Sequence, residues 1–128
     1  MTARLPVCAA AVARAIGFAR RFAAATALPK ENADRLVVIV EEWVANIVEH
    51  GRAPAGSLLV MRLERAGEGA RVAFSDAGIA FDPRTAGDQG PNMERGGGAG
   101  IALIRGWSEI EAYRRSAGRN RLVLRSRS

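Results

Sequence analysis

Cysteine, histidine, lysine and aromatic side chains are all scarce in this chain. A single cysteine, Cys8, cannot close an internal disulfide. With one histidine, His50, no zinc cluster can be assembled from Cys and His ligands. Lysine occurs once, at Lys30, and no Gly-x-x-x-x-Gly-Lys is present, which excludes a Walker-type phosphate loop. Aromatic residues make up 5% and none alternates with the arginines as a base-stacking platform requires, so the composition argues against nucleic acid. No run of 18 apolar residues occurs, and the alanine-rich segment from Ala9 to Ala25 is interrupted by Arg14, Arg20 and Arg21. That pattern excludes a membrane span and a signal peptide, and a cytoplasmic protein is expected.

What is present is ordinary globular material. The 128 residues, 48% hydrophobic and 25% charged, suit one domain, 1–128. The formal charge of +6 rests on 18 arginines against the one lysine, which suits an acidic protein or a nucleotide triphosphate as partner.

Periodicity predicts a short edge strand over Met1 to Val7, where Pro6 limits pairing, and a helix from Ala9 to about Ala25 with Val12, Ile16, Ala19 and Phe22 or Ala23 inward. A second helix begins near Lys30 to Asn32, after Leu28-Pro29, and runs to His50 before Gly51. Ser57 to Arg65 and Ala70 to Asp76 read as a hairpin about Ala66-Gly67-Glu68-Gly69. Asp82 to Arg95 lacks periodicity and is expected to be a lid or binding loop. Ile101 to Ile104 open a helix, and Glu109 to Tyr113 and Arg121 to Arg125 form two more strands, turning at Ala117-Gly118-Arg119-Asn120.

Three places carry chemistry. On the second helix, Leu36, Ile39, Val40, Trp43 and Ile47 form an apolar stripe, with Glu42, Asn46 and Glu49 along its edge. A carboxylate and a carboxamide one turn apart reach into one cleft, as a general base and a metal ligand would, although the strip equally suits a solvated helix edge. In the returning strand, Val72, Phe74 and Asp76 share the inward face, so a carboxylate ends the buried side and needs a donor; a turn-forming Asp-Ala-Gly is the plainer alternative. Gly96-Gly97-Gly98-Ala99-Gly100 runs into a helix, where backbone N–H groups and the helix N-terminus favour phosphate.

The order Glu42-Trp43-Val44-Ala45-Asn46 with His50-Gly51, then Asp76-Ala77-Gly78-Ile79-Ala80-Phe81-Asp82-Pro83, then Gly97-Gly98-Ala99-Gly100-Ile101-Ala102-Leu103-Ile104, resembles the GHKL ATP-binding superfamily of gyrase, Hsp90, histidine kinases and MutL. More narrowly it resembles the bacterial anti-sigma-factor serine/threonine kinases of the RsbW and SpoIIAB type, over roughly Ala9 to Arg125. The ending Arg119-Asn120-Arg121-Leu122 matches how many of them close. The resemblance implies an α/β (α+β) sandwich of the Bergerat type: a mixed, largely antiparallel sheet covered on one face by helices.

It further implies ATP and Mg²⁺ as cofactors. Asn46 would bind Mg²⁺, and Glu42 would be the catalytic base. Asp76 would accept a hydrogen bond from the adenine amino group, and Gly78 would let the base lie close. Gly98 and Gly100 would give N–H groups to phosphate, Arg95 would meet the γ-phosphate, and His50, Ile79, Phe81, Gly97, Ala99, Ile101 and Asn120 would complete the nucleotide site. Glu49 is unusual in this strip: a second carboxylate there could raise the pKa of Glu42 or help hold metal, and a solvated position is the plainer expectation.

The activity implied is that of a protein serine/threonine kinase that phosphorylates a STAS-domain anti-anti-sigma factor and sequesters a sigma factor, as a homodimer. The alternative is a non-catalytic nucleotide-sensing module in the same kind of pathway. A histidine-kinase catalytic domain is not expected, since no dimerisation helix pair or phospho-acceptor segment precedes the boxes.

Overall fold

The computed structural model describes residues 1–86 and 99–127. The elements run β1 (Thr2–Pro6), α1 (Ala10–Ala25), α2 (Lys30–His50), β2 (Leu58–Ala66), β3 (Gly69–Asp76), α3 (Pro83–Ala86), α4 (Ala99–Trp107), β4 (Ser108–Ser116) and β5 (Arg119–Ser126). The strands form one sheet in the order β1-β2-β3-β5-β4, antiparallel in every described pair. Helices cover one face of it, the α/β sandwich expected.

Strand alternation sets that face. Leu59, Met61 and Leu63 of β2, Val72 and Phe74 of β3, and Leu122 and Leu124 of β5 are each at most 1% exposed. They meet the α2 stripe, where Leu36, Ile39, Val40, Trp43 and Ile47 are equally buried. On α1 the buried side differs from the expected one. Ala11, Ala15, Phe18, Ala19, Phe22 and Ala23 face inward, while Val12 and Ile16 sit half-buried at the margin. In so alanine-rich a helix, two phenylalanines with small residues between them give closer packing on α2 than a stripe led by Val12 and Ile16.

The last hairpin is longer than periodicity predicted. Only Ala117 and Gly118 turn, with φ of 52° and 75°, so β4 runs through Ser116 and β5 begins at Arg119. Two left-handed residues match the twist of a two-residue hairpin. Asn120 therefore leaves the turn and takes a buried strand position opposite Asp76.

Candidate functional site

Burying the apolar stripe of α2 leaves Glu42, Asn46 and Glu49 at its edge, beside the first turn of α4. A cleft of about 250 Å³ there is lined by Glu42, Asn46, Glu49 and His50 from α2 and by Gly100 and Ile101 from α4. Glu42 is half-buried and Asn46 only 6% exposed. Glu49 is 67% exposed at its side chain, with Oε2 3.8 Å from Nε2 of His50. It is the solvated carboxylate anticipated.

Asp76, Gly78, Ile79 and Phe81 do not line that cleft. They sit where the end of β3 meets the end of α2, immediately beyond His50. The Ile79 N–H donates to the Gly51 carbonyl at 2.8 Å, and a Cβ on Gly78 would lie 2.6 Å from the same oxygen. So the two groups of residues are joined through His50-Gly51, one on each side. Asp76 is 1% exposed, and its Oδ1 accepts from the Gly78 N–H at 2.9 Å and from Asn120 Nδ2 at 3.2 Å. Among the described residues no donor reaches Oδ2. Phe81 stacks on Trp43 with ring centres 5.9 Å apart.

Asn120 is the hub beneath this loop. Its Nδ2 also donates to the Ile79 carbonyl at 2.8 Å, and its Oδ1 accepts from the Tyr113 hydroxyl and from Arg115 Nη1. Its amide is thus spent inside the protein, holding Asp76 and the following backbone. Tyr113 accepts the Phe81 N–H at 3.1 Å, and Arg115 donates to the Gly78 carbonyl at 2.8 Å. Sequence reasoning missed both residues. A bulge between Ile110 and Ala112 inverts the alternation of β4 and turns Tyr113 and Arg115 inward, and nothing local in the sequence announces it.

Beyond Phe81, Asp82 accepts the Arg84 N–H at 2.9 Å and pairs with Arg84 Nη2 at 2.7 Å. Burial pushes the Asp82 carboxyl up, but the hydrogen bonds and charge of Arg84 more than reverse this and hold it below its ordinary value. Arg105 Nε of α4 donates to the Pro83 carbonyl at 3.0 Å and ties the two short segments together. Ala99 opens α4. Arg95, Gly97 and Gly98, with the expected lid beyond Ala86, lie outside the described residues.

The described residues thus form a helix-covered antiparallel sheet with a polar cleft between α2 and the first turn of α4. The chain belongs to the histidine kinase-like ATPase domain family, whose model matches residues 5–126. Among solved structures, the RsbU and RsbW domains of Rv1364c from Mycobacterium tuberculosis match with a TM-score of 0.63 at 22% identity, over 99% of this chain and 32% of that one. At that identity the likeness is one of fold. No curated protein matches the chain. Among the described residues no helix is long and apolar enough to cross a membrane.

Proposed function

We propose that residues 1–128 form a single ATP-binding domain acting as a protein serine/threonine kinase of the partner-switching type, which phosphorylates a STAS-domain partner and sequesters a sigma factor. The observation that carries this reading is the meeting of Glu42 and Asn46, one helical turn apart, with Gly100 in one cleft. Family membership supports ATP as the nucleotide. The buried Asp76 with an unclaimed Oδ2 suits a base bearing an amino group.

Each residue has a task of its own in this reading. Asp76 accepts the base's amino hydrogen, and Asn120, Tyr113 and Arg115 keep it and the Gly78–Phe81 backbone in place. Asn46 offers its carboxamide oxygen to Mg²⁺. Mg²⁺ typically keeps several waters and binds through a few protein oxygens together with substrate phosphates, which suits a single carboxamide ligand. When bound, the magnesium nucleotide supplies the phosphoryl group and neutralises charge on it. Glu42 takes the proton from the attacking serine or threonine hydroxyl, a role worth about 10²–10⁴ in rate.

Incubating the protein with labelled ATP, Mg²⁺ and the STAS-domain protein encoded nearest to it tests the reading. Transfer of label to a partner serine or threonine, abolished in Glu42→Ala with ATP binding retained, is the expected result. Regulation of the partner by ATP with no transfer in either form would instead identify a non-catalytic nucleotide sensor.

A further inference from the structure

The sheet face turned away from the helices carries an arrangement that neither folding nor the nucleotide site requires. Strand register places Arg4, Val60, Ser75, Arg121 and Arg114 in one row across all five strands. The adjacent row is Thr2, Arg62, Ala73, Val123 and Ala112. Arg114 and Arg121 stand directly opposite each other, a like-charge pair that weakens a sheet. Among the described residues Arg62, Arg114 and Arg121 have neither ion-pair nor hydrogen-bond partners. A third row, Glu64, Arg71, Arg125 and Glu109, supplies carboxylates, but Arg71 pairs with Glu64 at 3.2 Å and with Glu111 at 2.6 Å, and Glu109 stands opposite Arg125.

The small side chain of Ala73 leaves a trough, part of a cleft of about 310 Å³ lined also by Arg62, Arg71, Arg121, Val123 and one carboxylate, Glu64, which Arg71 engages. A solvated sheet face does not need two uncompensated cations, Arg62 and Arg121, beside a depression. We propose that this face docks an acidic segment of a partner protein, one carboxylate seating over Ala73 between Arg62 and Arg121 and others meeting Arg114 and Arg4. The row is about 19 Å across at the usual strand spacing, which an extended segment of about six residues spans. Arginine is among the residues enriched at protein interfaces. Nucleic acid fits less well: Glu64, Glu109 and Glu111 share the face, and among the described residues no aromatic side chain stands on it to stack with bases. A second copy would bring arginines onto arginines.

The test uses the full chain and a fluorescein-labelled deca-glutamate peptide as probe, at about 50 mM salt, where screening is weak. Saturable binding is expected, falling about tenfold in Arg62→Ala/Arg121→Ala and sharply at about 500 mM salt. Ala73→Glu, which sets a carboxylate in the trough, should also abolish binding without lowering Tm. Stabilisation by ATP should be unchanged in these variants, so failure here is distinguishable from failure of the nucleotide reading. Peptide binding indifferent to the arginine substitutions would overturn the proposal. So would tighter binding of duplex DNA that displaces the peptide, or a dimer in sedimentation that the same substitutions dissociate.

Discussion

Glu42 and Gly100 meet across the cleft so closely that a Cβ on Gly100 would stand 2.7 Å from Oε2 of the glutamate. The atom in the way is the tip of a flexible side chain, so it can yield. Gly100→Ala should therefore leave Tm unchanged or higher, since alanine in a helix is better by about 1 kcal/mol. The displaced carboxylate should lower phosphoryl transfer about 10²-fold, the cost of a small misplacement of a reacting group. Thermal melting and initial rates on one preparation separate the two effects.

Gly78 offers the opposite case, because there the obstruction is the backbone oxygen of Gly51. A main-chain atom at the end of a packed helix cannot step aside. Gly78→Ala should cost about 1–3 kcal/mol, as overpacking does, read as a lower urea midpoint at unchanged m.

Tyr113→Phe removes one hydroxyl that serves two partners, the Phe81 N–H and Asn120 Oδ1. We expect a loss of about 1–2 kcal/mol in urea unfolding and weaker ATP binding by calorimetry, with the Trp43–Phe81 stack loosened.

The Asp82–Arg84 pair gives stability a defined pH dependence. The folded carboxyl titrates below its ordinary value of 3.8, so its contribution is complete above that value and is lost as pH falls through it toward the folded pKa. Tm should be higher in the parent than in Asp82→Asn at pH 7, and the two curves should converge below pH 3.8. A gap that persisted at lower pH would assign the effect to something other than this charge.

Nucleotide binding should be measurable without any partner. ATP with Mg²⁺ at a hundredfold excess over Kd should stabilise the protein by about 2.7 kcal/mol. Asn46→Ala should remove the magnesium-dependent part of that gain and spare the rest.

Local periodicity made α2 readable: a stripe recurring every turn places Leu36 through Ile47 inward and Glu42 and Asn46 at the edge, whatever the helix packs against. Counting by twos from Val72 likewise puts Asp76 on the buried side of β3. Where the same reasoning failed, a longer-range fact intervened. On α1, packing against α2 favoured Phe18 and Phe22 over Val12 and Ile16. In the last hairpin, a two-residue turn and a bulge changed which residues of β4 and β5 face inward, and so hid the roles of Asn120, Tyr113 and Arg115.

From the amino-acid order alone came the family resemblance, the faces of single elements and the candidate residues at their edges, because each depends on spacing within a few turns or strand positions. Tertiary structure alone decided that Glu42 faces Gly100, that Asn120 supports Asp76, and that arginines from several strands share one outer row. Those relations depend on strand register and on how helices seat upon the sheet. Turn length, a bulge and core packing fix them together, and no local segment carries that information.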